Sequence, residues 1–270
     1  MRSFVCAAVM LASAAWPALA QTAPAAAALK DLAPTGKLRA AINFGNGVLA
    51  QKGPNGEPRG VSAELAAALA KRLGVPLDTV PFEAAGKVFE ALASGSVDVG
   101  FIAIEPVRAA QVDFSPPYVI IEGTYLVRKD SPLKDVGDVD QPGIRIGVGL
   151  ASVYDLFLTR TLKYATLVRA KVGGAAAGIP VFLEQKLDAA AGVREPLDDY
   201  AKDHPDMRVM KGAFQQISQA MGTVKGRAAG AAFVRAFIEE MKVSGFVAEA
   251  LKHSGQTAPV APAEKSLTRP

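Results

Sequence analysis

"FIAIEPVRAAQVDFSPPY", residues Phe101–Tyr118, begins as an apolar run, stops at Glu105-Pro106, delivers one arginine at Arg108 and closes in an acidic, aromatic, double-proline turn. Such a run, bounded by turn residues, suits a strand buried on both faces that ends in a polar loop. Arg108 then stands at the strand's carboxyl end, where open α/β sheets place their ligands. A guanidinium there can grip a carboxylate through two parallel hydrogen bonds, which a lysine cannot. The alternative reading is a surface arginine paired with Asp113.

Upstream of this stretch the chain alternates between strand-like and helix-like segments. "KLRAAINF", Lys37–Phe44, is an apolar strand. "VSAELAAALAKRLG" is a helix with Leu65, Leu69 and Leu73 on one face and Gly74 placed to stop it. "VPLDTVPF" is a second strand, "GKVFEALASG" a second helix with Val88, Phe89 and Leu92 inward, and "VDVGFIAI", Val97–Ile104, a third strand. Alternating β and α units at this spacing imply a parallel, doubly wound sheet.

Downstream, "YVIIEGTYLVRK" is an extended apolar stretch long enough to leave one lobe and enter another, and the α/β pattern then restarts. "GIRIGVG" reads as a strand and "ASVYDLFLTRTL" as a helix. "IPVFLEQKLDAAAGV" repeats the helix, break and strand of "VFEALASGSVDVGFI", with Asp188 in the place of Asp98. "FQQISQAMGTVKGR" supplies a return crossing, and "AAGAAFVRAFIEEMKVSG" a closing helix with Phe233, Phe237 and Met241 inward. The fold expected is therefore α/β and two-lobed, each lobe a doubly wound, mainly parallel sheet, with two hinge crossings flanking a cleft.

The ends read differently. Residues 1–20, "MRSFVCAAVMLASAAWPALA", have a basic start, an apolar middle and an A-x-A arrangement before Gln21, which is the pattern of a cleaved secretory signal. The apolar run is too short to anchor the chain in a membrane. Losing it removes the chain's only cysteine and only tryptophan and lowers the formal charge from +4 to +3. No disulfide, thiol nucleophile or cysteine metal ligand then remains. The charges left are mixed rather than clustered, which gives nucleic-acid binding no support. The Ala/Pro-rich segments 21–36 and 256–270 read as a flexible leader and a flexible tail. The body divides into lobe 1, residues 37–122 and 222–255, and lobe 2, residues 123–221.

Chemistry-bearing residues are few. Ser152 opens the helix after the strand Ile144–Gly149 with Asp155 behind it, an S-x-x-D cap. The free amides of a helix start attract anions, so Ala151 and Ser152 can hold the far side of a carboxylate, and an ordinary cap is an equal reading. His204, in "KDHPD", and His253, near the tail, lie on no strand end, so a Ser-His or Cys-His apparatus has no basis. No clustered metal ligands occur. "VGGAAAG", Val172–Gly178, has neither a P-loop lysine nor a dinucleotide fingerprint and reads as a loop. No cofactor, metal or catalytic residue is expected.

"GSVDVGFIAIEPVRAAQVDFSPPY" resembles the signature of the family-3 solute-binding proteins of bacterial ABC transporters, G-x-V-D-x-(apolar)-T-x-T-P-E-R-x-x-x-(apolar)-D-F-S-x-P-Y. The likeness continues before it in "GEPRGVSAELAAALAKRLG" and after it through Ser152 to "FIEEMKVSGFVAEALKHSG". The resemblance implies the type II periplasmic binding protein fold, a monomer in the periplasm that closes over a small solute and docks on a membrane permease. By the same resemblance Arg108 is the arginine that grips the ligand's α-carboxylate and Ser152 the hydroxyl that completes the grip. Asn43 and Phe44 are then the first-strand end bordering the pocket.

The departures bear on the ligand. The family's hydroxyl residues before P-E-R are replaced by Ala103 and Glu105, and its glutamate beside the arginine by Val107. The aromatic lid expected near Ala85 is absent, with Gly86 and Lys87 following. The acid that holds the ligand's ammonium falls at Val193, with Arg194 and Glu195 beside it. Two ligands are consistent with this: an amino acid whose ammonium is taken by Glu105 or Glu195, and a carboxylate without the amine held by Arg108 with Arg194 or Lys87. The function implied is solute capture for an ABC importer. The alternatives are an enzyme similar to the cyclohexadienyl dehydratases that share this fold, with Glu105 as proton donor, and a ligand-presenting sensor component.

Overall fold

The structure is a computed structural model that describes residues 23–264. The signal reading of residues 1–20 lies outside the described residues. Among the described residues no helix is long and apolar enough to cross a membrane.

Lobe 1 is built on three parallel strands, β1 (Leu38–Asn43), β4 (Leu77–Phe82) and β5 (Val99–Ala103), with β1 in the middle. A small hairpin of β2 (Gln51–Lys52) and β3 (Pro58–Arg59) leads into helix α2 (Val61–Leu73). Leu65, Leu69 and Leu73 of α2 are buried as their spacing requires, and Gly74 ends the helix in the left-handed region, φ 69°. Helix α3 (Ala85–Ser94) packs directly on β5. A side chain at Gly100 would meet Val88 at 2.8 Å and Leu92 at 3.0 Å, so the close approach of α3 depends on that glycine. The short helix α4 (Pro106–Ala109) and strand β6 (Val112–Phe114) follow.

Strand β7 (Val119–Arg128) then carries the chain into lobe 2. There β8 (Arg145–Val148) lies between the parallel strands β9 (Thr166–Arg169) and β10 (Ala189–Val193), with helices α5 (Val153–Thr161), α6 (Gly178–Glu184) and α7 (Arg194–Asp203) and the edge strand β11 (Met207–Val209). Strand β12 (Gln215–Val224) returns to lobe 1, where helices α8 (Ala228–Val243) and α9 (Phe246–His253) close the chain. Both crossings are long strands that pair with one another, so a single curled sheet runs β4-β1-β5-β12-β7-β10-β8-β9 through both lobes. Its outer triplets are parallel and its two central strands antiparallel to their neighbours. β12 already pairs with β5 from Gln219 onward, so the return into lobe 1 comes ahead of the expected boundary at residue 222.

The internal repeat has a physical basis. Asp98, ahead of β5, accepts the backbone N–H of Arg39 and donates its own N–H to the Arg39 carbonyl. Asp188, ahead of β10, does the same with Arg145. In each lobe an aspartate thus fixes the register between a first strand and the strand that ends at the cleft. The lobe 1 version is fully buried and reinforced by ion pairs to Arg39 and Arg227.

Two segments expected to be flexible are packed. Residues Ala23–Leu32 form helix α1, which buries Ala28 and Leu32 against α8. Gly230 lets α8 come close to it, and Asp31 accepts the Gly230 N–H at 2.9 Å. The Ala/Pro composition hid an amphipathic helix, since alanine carries no polarity signal. After Gly255 the chain crosses the start of β7: Ala261 donates to Tyr118 O, Pro259 accepts from Ile120, and Ala258 and Ala261 are buried. The remaining tail, residues 265–270, lies outside the described residues.

Candidate functional site

The carboxyl ends of β1, β5 and β10 meet the loops that follow β8 and β9, and a narrow cavity of about 40 Å³ lies between the lobes. From lobe 1 it is lined by Asn43, Asn46, Ala103 and Arg108, and from lobe 2 by Ser152, Tyr154 and Val193. Gly45, Ala85, Leu150, Val153, the stretch Gly173–Ala175, and Gln219 of the return strand complete the wall.

Arg108 is fixed by local geometry. Glu105 caps α4, its Oε2 accepting the Val107 N–H at 2.7 Å, and Pro106 occupies the first helical turn, where its missing N–H costs nothing. One turn later Arg108 is buried with 1% exposure. Its Nη1 donates to Ala103 O at 3.2 Å and its Nη2 to Ala151 O at 3.0 Å. Among the described residues no carboxylate forms an ion pair with it. Burial lowers its pKa to about 10, partly offset by the charge of Glu105. Asp113, the partner of the alternative reading, is held by Lys225 and the Gly226 N–H instead.

On the facing side, Ala151 adopts φ 54° and presents its carbonyl to Arg108, while its N–H is taken by Asp155 at 2.9 Å. Ser152 caps α5 as the S-x-x-D pattern predicts, accepting the Asp155 N–H at 3.0 Å. Asp155 is buried and paired with Arg169. The Tyr154 hydroxyl donates to Gly174 O, and burial pushes its pKa up.

The lobes are closed on one another. Ala175 N donates to Gly45 O at 2.6 Å, and Arg160 of α5 forms an ion pair with Glu105. Glycines are needed where the backbones approach: a side chain at Gly173 would meet Ala84 at 2.8 Å, and one at Gly86 would meet Ala151 at 3.0 Å.

Of the residues expected at the site, Arg108, Ser152, Asn43, Ala103 and Val193 line the cavity and Ala151 touches Arg108. The others stand elsewhere. Glu105 does not line the cavity, because helix capping and Arg160 engage its carboxylate. Arg194 bonds Glu122 and the Met210 carbonyl. Glu195 faces away toward Gln256 and Thr257, its pKa raised by burial. Lys87 is exposed and paired with Glu90, and Phe44 lies under the Lys52 ammonium. His204 stacks on Tyr200, and His253 sits near Glu64. Among the described residues no group of three metal-ligating side chains occurs.

Asn46, Tyr154, Gly173–Ala175 and Gln219 are cavity residues that the sequence reading does not anticipate. Gln219 had a signal: it is a lone amide within the apolar strand "ISQAMG", and β12 sets it opposite Ala103.

The family described as "Bacterial extracellular solute-binding proteins, family 3" matches residues 49–256. Among solved structures, a mutant of the Thermotoga maritima protein ArgBP superposes with a TM-score of 0.71 at 21% identity, covering 84% of this chain and 99% of that one. The cysteine-binding protein of Campylobacter jejuni gives 0.71 at 23% identity, covering 84% and 92%. An ancestral amino-acid-binding protein, a precursor of cyclohexadienyl dehydratase, gives 0.69 at 25% identity, covering 83% and 98%. No functionally curated protein matches the chain in sequence.

Proposed function

Because the chain belongs to the bacterial extracellular solute-binding proteins of family 3, we propose that it is the capture component of an ABC importer, taking a small carboxylate-bearing solute into the cleft between its lobes. The observation that carries this reading is Arg108: a buried guanidinium at a cleft-facing strand end whose only hydrogen bonds among the described residues are to two carbonyl oxygens. Burying a cation without an anion is costly. A carboxylate entering the cleft would supply the missing charge with two charge-assisted hydrogen bonds.

The receptor works in the periplasm as a monomer, with residues 1–20 as its export signal and a permease in the inner membrane as its partner. Closure is part of binding. The contacts Ala175 to Gly45 and Arg160 to Glu105 join the lobes, and the closed form is what a permease would select. A dehydratase would need a proton donor at the reacting atoms. Glu105, the carboxyl group closest in sequence to Arg108, is engaged outside the cavity.

The test is a thermal-shift screen of small carboxylates and amino acids with Arg108→Met as control. A solute at a hundredfold its Kd adds about 2.7 kcal/mol to the wild type. Stabilisation that persists unchanged in the variant overturns the carboxylate assignment.

A further inference from the structure

The cavity wall holds one cation and, among the described residues, no carboxylate. The nearby acids are directed elsewhere: Glu105 to Arg160 and α4, Asp155 to Arg169 and Ala151 N, and Glu122 to Arg194 and Gln216, while Glu195, whose buried Oε2 has no hydrogen-bond partner among the described residues, lines the separate surface with Gln256 and Thr257. At the end of β10, beside the space next to Arg108, stands the aliphatic Val193, itself 3% exposed.

Many of the neutral oxygens of the wall are engaged as well. Gly45 O accepts from Ala175, and Gly174 O from Tyr154 and Ala177. Ala103 O and Ala151 O accept from Arg108, and Ala175 O from Val193. The Asn43, Asn46 and Ser152 side-chain oxygens cap local N–H groups. The unpaired side-chain groups of the wall among the described residues include the amide nitrogens of Asn43 and Asn46, which can only donate, and the whole carboxamide of Gln219, which is 3% exposed and lines the cavity.

An ammonium brought here would lose water, meet no anion, and share the cavity with a second cation. From this we propose that the solute is a small carboxylic acid with no amine beside its carboxylate, such as a 2-oxo, 2-hydroxy or unsubstituted acid. Its carboxylate faces Arg108 and its neutral polar end faces Gln219. The inference rests on carboxylate capture at Arg108 and adds which class of carboxylate is captured.

The experiment titrates the full protein with matched pairs that differ only in the 2-substituent: glycolate and glycine, lactate or pyruvate and alanine, 2-hydroxyisocaproate or 2-oxoisocaproate and leucine. The amine-free member of at least one pair should bind about tenfold or more tightly than its amino acid, the scale of leaving a charged group unpaired. Val193→Asp, which restores an acid at the wall, should narrow that gap. Amino acids binding as tightly as their partners, in an Arg108-dependent way, overturn the inference and leave carboxylate capture standing. No binding by either class, with Arg108→Met indistinguishable from wild type, overturns the capture reading itself. A folded Val193→Asp protein with an unchanged gap counts against the inference, because the missing acid would then not be the discriminating feature.

Discussion

Arg108 of lobe 1 donates from Nη2 to the carbonyl of Ala151 in lobe 2, 3.0 Å away across the cleft. The same guanidinium is therefore both the only cation lining the cleft among the described residues and a contact between the lobes. A carboxylate that binds Arg108 would also touch the element whose position defines closure, which couples capture to domain movement without a separate switch.

The arrangement implies a trade of stability for binding. An apolar residue of similar length at this position removes the cost of burying a cation that has no acid partner. Arg108→Met should therefore keep or raise the thermal midpoint of the ligand-free protein. Calorimetric unfolding checks this, and a clear fall in the midpoint would mean that the two carbonyl bonds outweigh the cost of burying the charge.

Binding should also depend on pH in one direction. The lowered pKa of Arg108, about 10, arises from burial in the ligand-free protein, whereas a carboxylate bound against the guanidinium would hold its proton more tightly. The free receptor thus loses the proton first. Affinity for an ionised carboxylate should be level below that pH and fall as pH rises through about 10. Titrations in a series of buffers would show the decline.

Arg160 and Glu105 form an ion pair between the lobes with the arginine side partly exposed. Arg160→Ala should leave the fold intact and weaken the solute several-fold, since a half-exposed pair is worth up to about 1 kcal/mol. The loss should shrink as salt is raised, because only the wild type has a pair to screen. Stopped-flow release rates at two ionic strengths separate this from a loss of solute contacts.

The repeated aspartates should differ in weight. Asp98 is fully buried between Arg39 and Arg227, so Asp98→Ala strands two arginines and should cost about 3 to 5 kcal/mol. Asp188→Ala loses an acceptor for one exposed N–H at the start of β8 and should cost nearer 1 kcal/mol. Denaturant unfolding of the two variants gives the comparison directly.

The two-lobed plan was legible because its units are local. Leu65, Leu69 and Leu73 mark a helix by spacing, Gly74 marks its end, and Asp98 with Asp188 marks the repeat. Arg108 and Ser152 were legible for a related reason, since each follows directly on a strand that ends at the cleft. Glu105 was misplaced because its residue type outweighed its position: an acid immediately before proline at a helix start is a cap, and the cap turns the carboxylate away from the cavity. Gln219 and Gly173–Ala175 were out of reach, because their place in the wall follows from antiparallel pairing with β5 and from closure of one lobe on the other. Helix α1 was missed because a run of alanines fits a helix and a flexible leader equally well.

The most direct measurement of the central claim is a calorimetric titration of the wild-type protein and Arg108→Met with the tightest-binding carboxylate from the matched panel. Truncating one partner of a buried, hydrogen-bonded charge pair costs about 2 to 5 kcal/mol. The account therefore predicts affinity weaker by at least about thirtyfold in a variant that is at least as stable as the wild type. Equal affinity in a folded Arg108→Met protein would contradict it.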